Sequence, residues 1–286
     1  MTVIELIERM SARLEEAGVS FGHGTHNAFD EAAWLVLWQL KLPLDALDEH
    51  AAHSVESVAQ SAVEQLVQSR IETRRPAAYL TGEAWLQGVP FHVDERAIVP
   101  RSLIAEPLVD GTLDVWLPPQ AQRVLDLCTG NGSLAVLAAM AWPEVVVDAT
   151  DVSADALAVA ALNVARHQLE RRITLRHGDG LSAADGRYDL ILCNPPYVTR
   201  EAMVALPAEY AAEPALALDG GVDGMDFVRQ LLSGVAAHMS QHAVLVIEIG
   251  HERHHFEAAF PHLNVIWLPT SAGDDQVLLI ESQSLP

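Results

Sequence analysis

Basic side chains are scarce in this sequence. Lysine and arginine number 17 against 39 aspartates and glutamates among 286 residues, a formal net charge of -22. An average surface of that sign repels phosphate backbones and attracts cationic partners. Free DNA or RNA is therefore disfavoured as a partner unless a local basic patch overrides the average, and a basic protein, such as a ribosomal protein, is favoured. Cysteine is almost missing as well. Cys128 and Cys193 provide neither a disulfide framework nor metal-ligand spacing, which suits a reducing compartment and calls for no metal. No apolar stretch reaches the roughly 18 residues needed to span a bilayer. The first residues, Met1-Thr-Val-Ile-Glu-Leu-Ile-Glu-Arg, carry acids within the first turns, unlike a targeting segment. The expectation is a cytoplasmic chain without membrane association. Internal repeats and low-complexity segments are lacking too, and the sequence leaves the oligomeric state open.

What is present is an ordinary globular composition, 50% hydrophobic and 20% charged. A chain of this length can bury a sizeable core in one large or two modest domains. Residues 1–75 carry apolar positions at helical spacing, as in Phe29, Ala32, Ala33, Leu35, Val36, Trp38 and again Val55, Val58, Ala62, Leu66, and predict a small helical bundle. Asn27 and Ser54 stand where helix N-caps would, and Pro43 limits the second helix. Residues 76–101 shorten the pattern: Gly82 and Gly88 bracket Trp85, and polar and apolar positions alternate through Phe91 and Val93, which reads as a β-hairpin linker. A helix from Ser102 toward Trp116, disturbed near Pro107, then leads into a third region, residues 102–286. After Pro119, short apolar runs alternate with helical segments, implying an α/β fold with a mostly parallel sheet covered on both faces. Its last two strands, with Gly273 and Asp274 between them, should pair antiparallel.

The first of these strands ends in Asp126-Leu-Cys-Thr129-Gly130-Asn131-Gly132-Ser133 and runs into an apolar helix. Glycines let the backbone turn sharply and approach a ligand beside a helix N-terminus. By itself the Gly-x-Gly-x-x-Ala pattern suits a dinucleotide fold about as well as a methyltransferase. Asp126 tips the balance, because a carboxylate there faces a pyrophosphate poorly but can hold the cationic amino-acid end of S-adenosylmethionine. Asp151, ending the second strand, can accept bonds from both ribose hydroxyls; an Asp before Ser153 is equally a common helix-cap arrangement. Asp179 and Gly180 follow the third strand, where such folds place groups near an adenine, although Asp179 also suits a turn.

The fourth strand runs directly into Asn194-Pro195-Pro196-Tyr197. Two prolines remove two backbone donors and stiffen the turn, leaving carbonyls and the Asn side chain as outward acceptors. An amide or exocyclic amine is a weak nucleophile toward a methyl sulfonium. Two acceptors, the Asn194 side-chain oxygen and the Pro195 carbonyl, can hold both of its N–H bonds and aim the nitrogen. Tyr197 would lie flat against the planar group. The bland reading of the same tetrapeptide is a rigid exit loop.

Together these residues resemble the HemK/PrmC/PrmB family of protein glutamine methyltransferases, from about Arg75 to the end of the chain. Further matches are Pro76-x-x-Tyr79-x-x-Gly82, Phe91-x-Val93, Val99-Pro-Arg101, the stretch from Glu213 through Asp219-Gly-Gly to Gly224, and Glu248-Ile-Gly250. Pro100-Arg-Ser-Leu-Ile-Ala-Glu106 and Glu83-Ala-Trp85 look more like the PrmB branch, which acts on the third large-subunit ribosomal protein, than like the release-factor branch. Leu103 departs from that branch, where Pro is usual. The resemblance implies a Rossmann-like class I methyltransferase fold with a seven-stranded sheet. It also implies cofactor contacts from residues 129 to 133 and Asp151, an Asn194 that touches cofactor and substrate, and a glutamine framed by Pro195, Pro196 and Tyr197. The helical region would help recognise the target protein. Gly180 replaces an aromatic residue that release-factor relatives set against the adenine.

Other candidates are less specific. Glu106 suits either pocket closure or a favourable first helical turn, and Arg101 should pair with an acid in the hairpin region. His251, His254 and His255 have spacing that a zinc site would need, but read better as a solvated helix. Cys128 and Cys193 end neighbouring strands and could approach one another near the cofactor, but read better as small buried packing residues. The competing functions are a release-factor glutamine methyltransferase, an adenine-N6 nucleic-acid methyltransferase sharing the Asn-Pro-Pro-Tyr loop, and a non-catalytic ribosome assembly factor.

Overall fold

The computed structural model describes residues 1–118 and 120–285; Pro119, the expected entry to the strand-rich region, and Pro286, its expected last residue, lie outside the described residues. The chain opens with helix α1 (Val3–Glu16), whose capping box pairs the Thr2 hydroxyl with the Glu5 amide and the Glu5 carboxylate with the Thr2 amide. Asn27 caps α2 (Ala28–Gln39) as expected, and the helix ends at Leu40, ahead of Pro43. A short helix α3 (Leu47–His50) precedes α4 (Ser57–Thr73). Ser54 does not cap α4, because the helix starts three residues later from Glu56; Ser54 instead forms an isolated antiparallel bridge with Thr2.

Leu6, Ile7, Met10 and Leu14 of α1 line up at helical spacing and pack on Leu35 of α2 and Val63 and Val67 of α4. Within this apolar cluster lies a fully buried arginine. Arg70 donates to Glu31 at 2.8 Å, to the Ser20 carbonyl at 2.8 Å and to Glu209 at 3.2 Å. Glu209 belongs to a 3-10 turn (Ala208–Ala212) more than a hundred residues away, so this network ties the helical region to the remainder of the chain.

After α5 (Ala77–Thr81), strands β1 (Glu83–Leu86) and β2 (Val89–His92) form the expected hairpin. Gln87 and Gly88 both take positive φ, the conformation a two-residue hairpin turn needs. Ala84 sinks into the helical cluster, whereas Phe91 joins the core of the large sheet. Helix α6 covers only Ala105–Val109. The expected helix to Trp116 is broken at Gly111, φ 83°, and resumes as a 3-10 turn, while Pro107 sits in the first turn of α6, where no N–H bond is lost.

The large sheet contains β3 (Arg123–Leu127), β4 (Val146–Asp151), β5 (Ile173–His177), β6 (Tyr188–Cys193), β7 (Met239–Glu248), β8 (Ile266–Thr270) and β9 (Gly273–Glu281). Its order is β5-β4-β3-β6-β7-β9-β8, parallel from β5 to β7 and antiparallel at β9 and β8. This is the expected Rossmann-like class I architecture with seven strands. The final turn is Ser271-Ala272; Gly273 and Asp274 already belong to β9. Helices α7 (Ser133–Ala141), α8 (Ala154–Arg166), α9 (Arg200–Ala205), α10 (Asp226–Gly234) and α11 (Arg253–Ala259) connect the strands. Side chains of alternate parity enter different cores: Val124, Leu190 and Val246 on one face, Leu125, Ile191 and Leu245 on the other. Burial on both faces explains why these strands read as continuous apolar runs. Among the described residues no helix is long and apolar enough to cross a membrane.

From β3 the chain crosses to β4 on one side, while β6 lies on the other. Such a switch point opens a crevice at the carboxyl ends of the strands. Replacing Arg70 with alanine leaves two carboxylates buried without their cation. We expect Arg70→Ala to lower the unfolding free energy by about 3–5 kcal/mol, read from urea denaturation; a loss below about 1 kcal/mol would show that the network is solvated.

Candidate functional site

Residues Leu127 and Cys193 are register partners at the ends of β3 and β6. The glycine loop and Asn194-Pro-Pro-Tyr therefore emerge side by side. Between them lies a cavity of about 290 Å³, near the lower end of the roughly 300–1,000 Å³ typical of ligand pockets. Of the residues expected from the sequence, Gly130, Asp151, Asp179, Gly180, Asn194 and Pro196 line it. Asp126, Thr129, Asn131, Gly132, Ser133, Pro195 and Tyr197 do not line it.

Those residues build the loop. Asp126 is completely buried; its Oδ2 accepts from the Thr129 hydroxyl and, at 3.0 Å, from the Ala135 amide at the start of α7. Its Oδ1 is buried with no partner among the described residues. Burial outweighs the two hydrogen bonds and pushes the carboxyl up to about 7. Asn131 accepts from the Ser133 amide at 3.2 Å, and its own carbonyl accepts from Asn163 of α8 at 2.8 Å. Asn163 also bonds both the amide and the carbonyl of His92, which pins the hairpin to the loop. Gly132, φ 81°, passes so close to α8 that a Cβ there would lie 3.1 Å from the Ala160 Cβ.

Asp151 accepts from the Gly130 amide at 2.9 Å and from the Ser153 amide at 2.8 Å, and Ser153, not Asp151, caps α8. Burial raises the Asp151 carboxyl despite these bonds. Both its oxygens keep further acceptor capacity, and the residue lines the cavity. Phe227 of α10 also lines the cavity, 3.8 Å from where a Gly180 Cβ would be. Cys128 lines the cavity at φ 57°, and its thiol meets that of the buried Cys193. Burial, then Cys128, raises the Cys193 thiol.

The Asn194 side chain and the Pro195 carbonyl accept no hydrogen bond from any other described residue; Asn194 lines the cavity, whereas Pro195 is buried and does not. Tyr197 is held firmly. Its hydroxyl donates to Glu248 at 3.0 Å, and its ring and backbone press on Gly220, Gly224 and Gly250, where a Cβ would come within 2.7, 2.3 and 2.5 Å respectively. The Val198 amide bonds the Leu218 carbonyl and the Gly220 amide bonds the Val198 carbonyl, adding a backbone clamp. Glu248 accepts in addition from the Ser102 hydroxyl at 2.6 Å and the Leu103 amide at 2.8 Å. Burial raises the Glu248 carboxyl against these bonds, and burial and Glu248 together push the Tyr197 phenol up.

One sequence expectation is corrected and two open ones are resolved in position. Arg101 pairs with Glu213, at 2.7 Å through one nitrogen and closer still through the other, and not with a hairpin acid, because the segment before Asp219 folds back over Val99. Burial disfavours the Glu213 carboxylate, but His23, 3.5 Å away, and Arg101 overcome it and hold the group at about 2. Of the two readings of Glu106, the first helical turn is where it stands, in α6; it does not line the cavity and bonds the amide and hydroxyl of Ser271 in the β8–β9 turn. Among the histidines, His254 and His255 join Glu252 in a group with ligand atoms within 4.8 Å, in which His255 bonds Glu252 at 2.6 Å, and His251 is outside it. Sequence reasoning passed over Phe227 and Asn163 altogether, and assigned no role to Glu213 and Glu248 although both stood within quoted motifs.

Residues 111–220 match the family model described as the methyltransferase small domain. A ribosomal protein uL3 glutamine methyltransferase from Bordetella pertussis is 53% identical over 99% of this chain and 96% of its own length. One of the same name from Burkholderia pseudomallei is 48% identical over 100% and 96% respectively. Among solved structures, the hMettl16 catalytic domain in complex with a MAT2A 3'UTR hairpin is 13% identical, with a TM-score of 0.53 over 82% of this chain and 84% of that one, a likeness of fold alone. With identity at this level over essentially the entire length of both chains, this protein belongs to the family of ribosomal protein uL3 glutamine methyltransferases.

Proposed function

We propose that this chain methylates the side-chain amide nitrogen of a glutamine in ribosomal protein uL3. The observation that carries the reading is the unpartnered Asn194 side chain in the lining of a cavity that also holds Gly130 and Asp151, next to a loop under which Asp126 keeps a buried oxygen without a partner. S-adenosylmethionine supplies an electrophilic methyl group on a sulfonium. Asp126 would face its ammonium group, since a buried carboxylate oxygen without a partner suits a cation. Thr129, Asn131 and Ser133 hold the shape of the loop, Gly130 and Gly132 give it close approach, and Asp151 accepts from the ribose. Asp179, Gly180 and Phe227 would enclose the adenine.

Asn194 and the Pro195 carbonyl would accept the two N–H bonds of the glutamine amide and direct its nitrogen at the methyl carbon. Pro196 would frame the glutamine from the cavity lining, and Tyr197, outside that lining, would act through its anchorage to Glu248. Positioning is the main catalytic device, because no base is needed before a neutral amide attacks and the alkylated nitrogen can release its proton to water. Residues 1–75 would recognise the target, 76–101 link, and 102–286 perform transfer. A charge of -22 supports a basic protein as partner and not free DNA, and the cytoplasm, where ribosomal proteins are made, is the expected place of action.

Three substrates separate the readings: purified uL3, a peptide chain release factor and duplex DNA, each incubated with labelled S-adenosylmethionine and analysed by mass spectrometry. We expect label on one glutamine of uL3; label on adenine would overturn the assignment. Asn194→Ala should reduce kcat by about 100-fold or more while changing cofactor affinity by less than about threefold, and equal losses in both would contradict its role. Because the Asp126 carboxyl sits near 7 in the chain without cofactor, a cationic ligand must bind the ionised form. Affinity should weaken as pH falls below that value, approaching about tenfold per unit, in calorimetric titrations. Asp126→Asn should bind weakly with a flat profile; an unchanged slope in this variant would remove Asp126 from the site. The stability of the cofactor-free chain has the opposite sense, declining as pH rises from 3.8 toward about 7.

A further inference from the structure

A second concavity, sharing no lining residue with the cavity beside Asn194, lies between α2, the loop after it and the β1–β2 hairpin, with a volume of about 840 Å³. Three of the six tryptophans in the sequence, Trp34, Trp38 and Trp85, line it together with Asp30, Asp45 and Glu83. Trp34 belongs to the apolar cluster of the helical region and Trp38 packs against it, whereas Trp85 joins no such cluster. Trp85 keeps 44% of its surface in solvent, and the Nε1 of the buried Trp34 has no partner among the described residues.

The carboxylates differ in what they have left to offer. Glu83 accepts from Trp85 Nε1 at 3.1 Å and from Arg166 at 2.6 Å, which fixes the indole. Asp30 accepts from the Asn27 amide group at 2.7 Å. Asp45, exposed on the loop, has no side-chain partner among the described residues. The one cation in the lining is Lys41, the sole lysine of the sequence.

Indole faces attract ammonium and guanidinium groups, and the methylene stems of lysine and arginine pack on the same rings. Carboxylates at the edge of such faces complete a receptor for cationic side chains. We propose that this groove docks an extended, arginine- and lysine-bearing segment of the protein substrate, away from the glutamine that is methylated. The proposal rests on the reading of uL3 as substrate, and charge complementarity supports it: the lining is net acidic, as is the whole chain. Contacts made equally in the bound and transition states change KM and leave kcat alone.

Two measurements on Trp85→Ala/Asp45→Lys test it; both side chains are exposed, and equal thermal unfolding and cofactor affinity establish that the variant is folded. First, fluorescence polarisation with a labelled hexa-arginine peptide should show binding to the natural chain and a loss of about tenfold or more in the variant. Second, KM for full-length uL3 should rise about tenfold while kcat stays within about twofold. Equal peptide binding by both proteins, or none by either, overturns the groove even if uL3 is methylated. Peptide binding that depends on the groove, together with no methylation of uL3 by the natural chain, retains a basic-segment site and overturns the substrate assignment. An altered sedimentation coefficient in the variant would make the groove a contact between copies of this chain, and tighter binding of single-stranded RNA than of the peptide would make it a nucleic-acid site. Either result rejects the proposal.

Discussion

Parallel pairing of β3 with β6 is the constraint on which the rest of this molecule depends. Because those two strands are adjacent at the point where chain direction across the sheet reverses, their carboxyl ends deliver the glycine loop and the Asn-Pro-Pro-Tyr turn to one crevice. Two loops separated by more than sixty residues thus share a boundary only because Leu127 and Cys193 are register partners. A shift of one residue would turn every side chain of β6 to the opposite face and carry Asn194 out of the crevice.

Rigidity at that crevice comes from buried polar contacts more than from apolar packing. Tyr197 is fixed by Glu248, which also receives Ser102 and Leu103 from the segment after the hairpin. Arg101, the residue before Ser102, is locked to Glu213, and Glu213 faces His23 of the helical region. A second set joins Glu31, Arg70 and Glu209. Each carboxylate loses hydration on burial, a cost that only well-aligned partners offset. The arrangement makes the helical region, the segment around residue 101 and the reactive turn one mechanical unit. Three glycines then allow the turn to be gripped from all sides, since a Cβ at 220, 224 or 250 would collide with Tyr197.

Misreadings of the sequence share a cause. Ser54 has the chemistry of a cap but is recruited by Thr2, a residue distant in sequence, to close the start of the chain. Arg101 was matched with nearby acids, whereas its partner arrives through the fold-back of the segment after α9. Glu106 finds the β8–β9 turn, which only the antiparallel insertion of β9 brings near. At Gly180, where the sequence offers no aromatic side chain, Phe227 reaches the cavity lining from α10. In each case local propensity named the right type of residue and long-range packing chose its partner.

By itself the sequence determined the strands, the caps at Asn27 and the glycine loop, the stiff proline turn and the acidic balance, because these follow from backbone sterics, side-chain chemistry and periodicity acting over a few residues. Only the tertiary structure decided that Asp126 keeps an unpartnered oxygen under the loop, that Glu248 and three glycines clamp Tyr197, and that three tryptophans meet acids in a groove. Those facts depend on which distant surfaces are pressed together and desolvated, a cooperative outcome of the entire core that no short window of residues encodes.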